Sequence, residues 1–330
     1  MEKIRYGIIG YGEFAERTIA PAIQASPNSE LVAIQKRSLY AAQLKAHDKK
    51  IHLAFDSANA LVEHPDVDAV FIVSSNAQHA SETVTAARAK KHVLVEKPMA
   101  LNTEECRTMT DECRKQHVKL MVAHMVRLSP AIEWIKAFVH SGSVGRILSV
   151  RTEFVYNASS SRRLWLYDRK IAGGGPIYDI GVHCLDTIRY ILDDEVVSVK
   201  SQLFPLPTEN ATERTGLIAL RFSKGTTGSI FCSFETPYYQ TMLEIVGTES
   251  RIELEDFTLA NRTAKVVVRK GEHGARKEPV VEEIVIPNLY ENEVTLFSEC
   301  ILNDAPSPIP GEEGLKNQEV LDQAMNVVNS

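Results

Sequence analysis

A doubly wound α/β domain followed by an α+β domain with an open, mainly antiparallel sheet is the architecture this 330-residue sequence predicts. Three observations carry it. The length accommodates two hydrophobic cores. The first part of the chain alternates short apolar runs with segments of helical spacing. Beyond residue 146 the pattern changes to longer strands separated by turn residues. The expected domains are residues 1–122 and 123–330.

In chain order, "IRYGIIG", "ELVAIQK", "DAVFIVSS", "HVLVEK" and "VKLMVAH" read as strands buried on both faces. Between them, "GEFAERTIAPAIQAS", "SETVTAARAKK" and "NTEECRTMTDECRKQH" carry apolar residues at helical spacing, as a parallel sheet with covering helices requires. The second half offers "RILSVRTEFVY", "VVSVKSQLF", "TGLIALRF", "TGSIFCSF", "TMLEIVGT" and "AKVVVRK" as strands, with one clear helix, "VHCLDTIRYIL". Two helical segments, 289–302 and 312–328, close the chain around the Pro-rich "NDAPSPIPG". The final helix is a candidate to pack back on the first domain.

Composition narrows the function. Apolar residues make up 44% and charged residues 24%, ordinary values for a globular protein. A net charge of -6 argues against general nucleic-acid or anionic-membrane binding, which reward a basic surface. No apolar run approaches the roughly 20 residues of a membrane span. The charged start "MEKIRYGIIGYG" is unlike a signal peptide. Cys106, Cys113, Cys184, Cys232 and Cys300 form no CxxC pair and no even disulfide framework, so reduced thiols in the cytoplasm are expected.

The first strand runs into "GIIGYGEFAER", with Gly10-x-Gly12-x-x-Ala15. In a strand-turn-helix setting Gly10 permits the tight turn and Gly12 lets the backbone approach a pyrophosphate. Ala15 allows close packing of helix on strand, and the helix N-terminus offers free N–H groups to phosphate. Gly10, Tyr11, Gly12, Glu13, Phe14 and Ala15 are therefore candidate cofactor contacts. The second strand ends in Gln35, Lys36, Arg37 and Ser38, without the acid that holds ribose hydroxyls in NAD enzymes. Arg37 and Ser38 suit a 2′-phosphate, which favours NADP, with NAD as the alternative. Solvated loop charges are the competing reading of Lys36 and Arg37.

"HVLVEKPMALN" sends Glu96 and Lys97 out of the carboxyl end of a strand, the edge where open parallel sheets place ligands. Pro98 restricts Lys97 away from helical geometry. In "AGGGPIYDIGVHCLD", residues 172–186, a glycine triplet precedes Asp179 and His183, which share a face at i, i+4 if helical. From the residues alone they read equally as a hydrogen-bonded helix pair. His79 and His124 are the histidines a metal site would recruit, but no H-E-x-x-H or comparable motif appears, so no metal is expected.

Four stretches together, "GIIGYGEFA", "EKPMALN", "GGGPIYDIGVHCLD" and "PSPIPGEEGLKNQEVLDQA", resemble the glucose-fructose oxidoreductase / inositol 2-dehydrogenase / rhizopine catabolism (Gfo/Idh/MocA) oxidoreductase family, in order and over almost the whole chain. The resemblance implies a Rossmann domain and an α+β domain whose open sheet pairs copies of the chain as a homodimer or homotetramer. It implies that Lys97, Asp179 and His183 meet beside the nicotinamide, and that the Lys97–Pro98 bond is cis. Hydride transfer at nicotinamide, coupled to proton transfer at a substrate hydroxyl, follows. His183 suits the proton carrier because imidazole titrates near neutrality. Lys97 suits alkoxide stabilisation, and Asp179 suits orientation of substrate or histidine.

The same resemblance adds Ser74, Asn76 and His79 of "VSSNAQHA" as cofactor contacts, although Ser75 stands where the family usually has proline. His79 reads better as packing at the helix start than as catalytic. Arg127 of "AHMVRLSP" matches a position that meets substrate or pairs with an acid. Trp165, in "SSSRRLWLYDRKIAGGG", is a candidate pocket wall for a sugar ring or flat substrate. Leu166 departs from the family's Trp-Arg-x-Asp pattern, and Arg162 and Arg163 are left without a fixed role. The expected substrate is a sugar, cyclitol or related diol; the NADP-type turn is nearer to xylose and dihydrodiol dehydrogenases than to inositol dehydrogenases. The rival readings are a non-catalytic NAD(P)-binding sensor and an oligomeric scaffold built on the open sheet.

Overall fold

The computed structural model describes residues 2–159, 163–272 and 275–326. The chain divides into two compact units, Met1–His124 with Tyr290–Gln318, and Met125–Leu289 with Glu319–Ser330.

The first unit begins with β1 (Ile4–Ile9), a π-helical turn (Ala15–Ile19) continuing into α1 (Ala20–Ala25), and β2 (Ser29–Gln35). It goes on through α2 (Leu39–Lys49), β3 (Leu53–Phe55), α3 (Ala58–Val62), β4 (Ala69–Ile72), α4 (Asn76–Arg88), β5 (His92–Val95), α5 (Thr103–Gln116) and β6 (Leu120–Val122). All six strands are parallel, in the order β3-β2-β1-β4-β5-β6. The order reverses between β1 and β4, the switch point beside which such sheets bind ligands. The central strands are buried along nearly their whole length, as strands covered on both faces must be. Helix α5 shows how local chemistry sets a boundary. Asn102 accepts the Glu105 N–H at 3.0 Å, and Glu105 returns its carboxylate to the Leu101 N–H and the Asn102 amide. His117, at φ 57°, ends the helix.

The second unit opens with a 3₁₀ turn (Met125–Leu128), α6 (Pro130–His140) and β7 (Ile147–Asn157). A 3₁₀ turn (Leu164–Tyr167), α7 (Arg169–Ala172) and a π-helical turn (Ile177–Gly181) then lead into α8 (Val182–Leu192). The strands that follow are β8 (Val196–Phe204), β9 (Thr215–Phe222), β10 (Thr227–Ser233), β11 (Glu235–Gly247), β12 (Ser250–Glu255), β13 (Arg262–Glu272), β14 (Ala275–Arg276) and β15 (Val280–Ile286). Their sheet runs β14-β13-β12-β11-β7-β10-β9-β8, with β15 on β13. Among the described strands of this sheet only β7 and β10 pair in parallel; its other pairs are antiparallel. Alternating burial along β9, with Leu217 42% exposed and Ile218 fully buried, marks one covered and one open face. Helix α8 is buried at ten of its eleven residues. The chain closes with α9 (Leu289–Leu302) and α10 (Gly311–Met325).

Elements beyond the sequence reading are α2, β3, α3, α6, α7, β12, β14 and β15. Strand β3 has three half-buried residues, too few to set a period. Strand β12 follows β11 after two residues and alternates apolar with charged side chains, so it merges with its neighbour's pattern. Helix α2 buries only Ala42 and Ala46, a weak apolar stripe. Helix α6 was readable, since Pro130 stands at its first position ahead of an apolar run.

Candidate active site

In the first unit the ends of β1, β2 and β4 converge on the glycine turn. Gly10 has φ +84°, and a Cβ there would lie 2.6 Å from both the backbone nitrogen and Cα of Ser74. Only glycine lets β1 end so close to β4. Gln35 locks the turn: its Oε1 accepts the Gly10 N–H, its carbonyl accepts the Tyr11 N–H, and its amide donates to the Asp56 carbonyl. A Cβ on Gly12 would meet nothing closer than its neighbour's carbonyl at 3.8 Å. The space beside Gly12 is the cradle a pyrophosphate needs, so these residues fit a dinucleotide.

The other residues expected around this turn divide into those turned to the protein and those left open. Tyr11 is buried, and burial pushes its phenol up to about 12. Lys36 donates to the Tyr11 carbonyl at 2.6 Å. Glu13 pairs with Arg17, Phe14 meets the edge of Tyr290, and Ala15 is fully buried against the sheet. Arg37 is exposed, and Ser38 caps α2 by accepting the Ala41 N–H. These last two lie at the end of β2, where a ribose 2′-substituent is read in such domains.

Ser74 donates its hydroxyl to Glu82 at 2.5 Å, and burial pushes the Glu82 carboxyl up to about 7. His79 is 1% exposed; its Nδ1 lies 3.0 Å from the Pro98 carbonyl oxygen and its Nε2 3.2 Å from that of Ser74. Burial lowers its pKa to about 4, so the neutral ring, with one N–H, donates to one of these two carbonyls and lies beside the other, between the turn after β4 and the turn after β5. Asn76 is buried at the first position of α4. Glu96 is buried and accepts the Lys97 N–H through Oε2, and the Lys97–Pro98 bond is cis.

In the second unit the glycine triplet makes room for the chain itself. Gly173, at φ +80°, ends α7. A Cβ on Gly174 would strike the Tyr178 ring at 2.5 Å, and one on Gly175 would lie 2.0 Å from the Glu213 carbonyl oxygen. The turn then delivers Asp179 and His183, 5% and 9% exposed, on the π-helical turn and α8. Arg163 reaches both Asp179 oxygens at 3.2 and 3.3 Å, Tyr156 donates to Asp179 at 3.1 Å, and Arg163 also donates to the Tyr156 oxygen. Burial and the Asp179 charge hold the Tyr156 phenol protonated. The His183 ring packs beside Phe154 with centroids 5.9 Å apart.

Arg127 is turned inward: it is 6% exposed, forks onto both oxygens of Asp186, and lies over the Tyr190 ring. It therefore fixes α8, the helix carrying His183. Trp165 is half-buried on the 3₁₀ turn after Arg163. Arg162 lies outside the described residues. Sequence reasoning missed Gln35 as the lock of the first turn, Tyr156 and Arg163 as the partners of Asp179, and Glu213. Only Arg163 carried a signal, as a cation in the segment preceding the glycines. No group of three or more metal-binding side chains occurs among the described residues.

Residues 4–124 match the model of the oxidoreductase family with an NAD-binding Rossmann fold, and residues 132–253 match the GFO/IDH/MocA C-terminal domain. The trans-1,2-dihydrobenzene-1,2-diol dehydrogenase of Bos taurus is 30% identical, over 82% of this chain and 78% of its own. The chain belongs to the Gfo/Idh/MocA oxidoreductase family. It is an NAD(P)-dependent oxidoreductase. The 1,5-anhydro-D-fructose reductase of Ensifer adhaerens is 29% identical over 94% of this chain and 92% of its own. The crystal structure of aldose-aldose oxidoreductase from Caulobacter crescentus, complexed with glycerol, is similar with a TM-score of 0.85 and 26% identity, covering 97% of this chain and 96% of the other.

Proposed function

We propose that this oxidoreductase exchanges a hydride with a secondary hydroxyl, or the corresponding carbonyl, of a sugar, cyclitol or related diol, using NADP in preference to NAD. The relatives named for an anhydro-sugar and for a diol support that substrate class. Bound NADP supplies the nicotinamide that takes or gives the hydride. Gly10 and Gly12 admit its pyrophosphate, while Arg37 and Ser38 hold the 2′-phosphate. His183 carries the proton of the substrate hydroxyl, Lys97 stabilises the developing charge on that oxygen, and Asp179 orients.

The observation that carries this division of labour is the engagement of Asp179 by Arg163 and Tyr156. A carboxylate held by a guanidinium favours its ionised form and makes a poor proton carrier. The group suited to neutral pH is then the imidazole four residues on. Trp165 forms one wall of the substrate pocket, as an amphipathic ring suits a sugar face. Exposed Val197 and Leu217 on the sheet support assembly as a homodimer or homotetramer. The five buried, free cysteines support a cytoplasmic setting.

The test is turnover of NADP+ and NAD+ with a panel of sugars, cyclitols and diols. His183→Ala and Lys97→Ala are expected to lower kcat by about 10²- to 10⁴-fold with cofactor Kd retained. Undiminished kcat in both variants overturns the catalytic assignment. Tight NADPH binding without turnover on the whole panel points to a sensor instead.

A further inference from the structure

Glu213 stands just ahead of β9 and is fully buried. Its Oε1 accepts the backbone N–H of Gly175 at 2.9 Å and of Ile177 at 3.1 Å. These are donors at the start of a helical segment, where a side chain close in sequence ordinarily serves as cap. Pro176 caps nothing here, so the acceptor comes from 36 residues further along the chain. The carbonyl of the same Gly175 accepts the N–H groups of Tyr178 and Asp179, at 3.1 and 3.0 Å. One residue, Gly175, thus joins the Glu213 carboxyl through its N–H to the Asp179 backbone through its carbonyl.

The backbone of Glu213 presses on the turn as well, since its carbonyl occupies the space a Gly175 Cβ would need. Glu213 is itself held on both sides. The Thr212 hydroxyl donates to the Leu166 carbonyl, and the Arg214 N–H donates to the Phe204 carbonyl. The platform behind the turn is therefore packed and hydrogen-bonded. Burial pushes the Glu213 carboxyl above the usual carboxylate range, which fits an acceptor whose position, and not its charge, matters.

We propose that Glu213 is a positioning residue for the reaction: its Oε1 fixes the glycine turn and thereby the direction in which Asp179 and His183 are presented. The inference rests on the roles proposed for that pair. A positional acceptor and a charge make opposite demands on substitution. Glu213→Gln keeps the length and an oxygen acceptor but removes the charge. Glu213→Asp keeps the charge but withdraws the oxygens by one methylene.

The experiment compares kcat, KM, NADPH Kd and far-ultraviolet circular dichroism of Glu213→Gln and Glu213→Asp in the full chain. Glu213→Gln is expected to keep kcat within about threefold, since a neutral acceptor replaces a charged one at the same place. Glu213→Asp is expected to lose about 10- to 100-fold in kcat, because displacements near 1 Å at a catalytic group cost that much. NADPH Kd stays within about twofold in both, the glycine turn of the cofactor being in the other unit. If Glu213→Asp does not fold, Glu213→Met, of similar length and without a comparable acceptor, takes its place with the same expected loss. Wild-type kcat in the Asp or Met variant, or equal losses in the Gln and Asp variants, overturns the inference. Asp179→Asn and His183→Ala are measured alongside. If they turn over normally, the catalytic reading fails; if they are impaired while Glu213→Asp is not, only the role of Glu213 fails.

Discussion

Gly12 and Gly175 both stand in turns that feed buried helical segments, yet the space beside them is filled in opposite ways. The position of a Cβ on Gly12 is open, with the nearest atom at 3.8 Å. The position of a Cβ on Gly175 is already occupied by the Glu213 carbonyl, at 2.0 Å. The first turn leaves room for something the chain does not itself supply. The second brings two parts of the chain together tightly enough to hold a helix start without a local cap. A glycine-rich stretch therefore signals close approach, and the structure decides whether the approaching group is ligand or protein.

The sharpest way to break this comparison is to add one methyl group at each place. Gly175→Ala must displace backbone, because the atom it meets is a carbonyl oxygen. The expected cost is about 1–3 kcal/mol of stability, with a fall of roughly 10²-fold in kcat as Asp179 and His183 shift. Gly12→Ala is expected to leave the melting temperature of the cofactor-free protein nearly unchanged, within about 0.5 kcal/mol. Its effect falls on cofactor affinity, where the methyl group enters the space reserved for pyrophosphate. Calorimetry without cofactor and NADPH titration by fluorescence separate the two. Comparable destabilisation by both variants ends the distinction.

A smaller effect sharpens the first turn alone. If that turn serves a phosphorylated ribose, Arg37→Asp removes a charge-assisted contact and adds repulsion. NADPH affinity should fall roughly 10- to 100-fold, matching about 1.5–3 kcal/mol for a hydrogen bond to a charged group. NADH affinity should change little, since it has no 2′-phosphate. Equal losses for both cofactors remove the NADP assignment while leaving the turn itself intact.

What the sequence made legible follows from how local each signal is. The parallel sheet announces itself because its central strands are apolar throughout, and Gly10, Gly12 and Ala15 follow β1 directly. Lys97, Asp179 and His183 stand in short motifs, and it is the family resemblance that joins them as a set. The partners of those motifs were not legible. Arg163 meets Asp179 across 16 residues, Gln35 meets Gly10 across 25 and Glu213 meets Gly175 across 38. Such pairs depend on which strand ends lie side by side, which no local period encodes. Arg127 is the intermediate case: its motif offers substrate or an acid as partner, and the fold gives it Asp186. The reason for Gly175 is equally remote, since Glu213 lies outside any local window.

The least of the expected effects concerns the residue on which Gly10 rests. Ser74 donates to Glu82, and burial is the dominant cause that raises the Glu82 carboxyl to about 7, with the serine bond opposing it. A free glutamate titrates near 4.3. The folded protein therefore holds this proton more tightly than the unfolded chain does. The associated stability is fully present below about pH 4.3 and is lost as the pH rises through about 7. Glu82→Gln removes the titration and keeps an acceptor for Ser74. The melting temperature of the variant relative to the original should rise between pH 5 and pH 8 and then level off. A change of roughly 2–4 °C is expected, the shift that about 1 kcal/mol produces in domains of this size once partial exposure is discounted. A difference that stays flat across that range removes Glu82 as a titrating support of the turn. A difference that grows toward acid instead reverses the sign and requires Glu82 to be stabilised as a carboxylate.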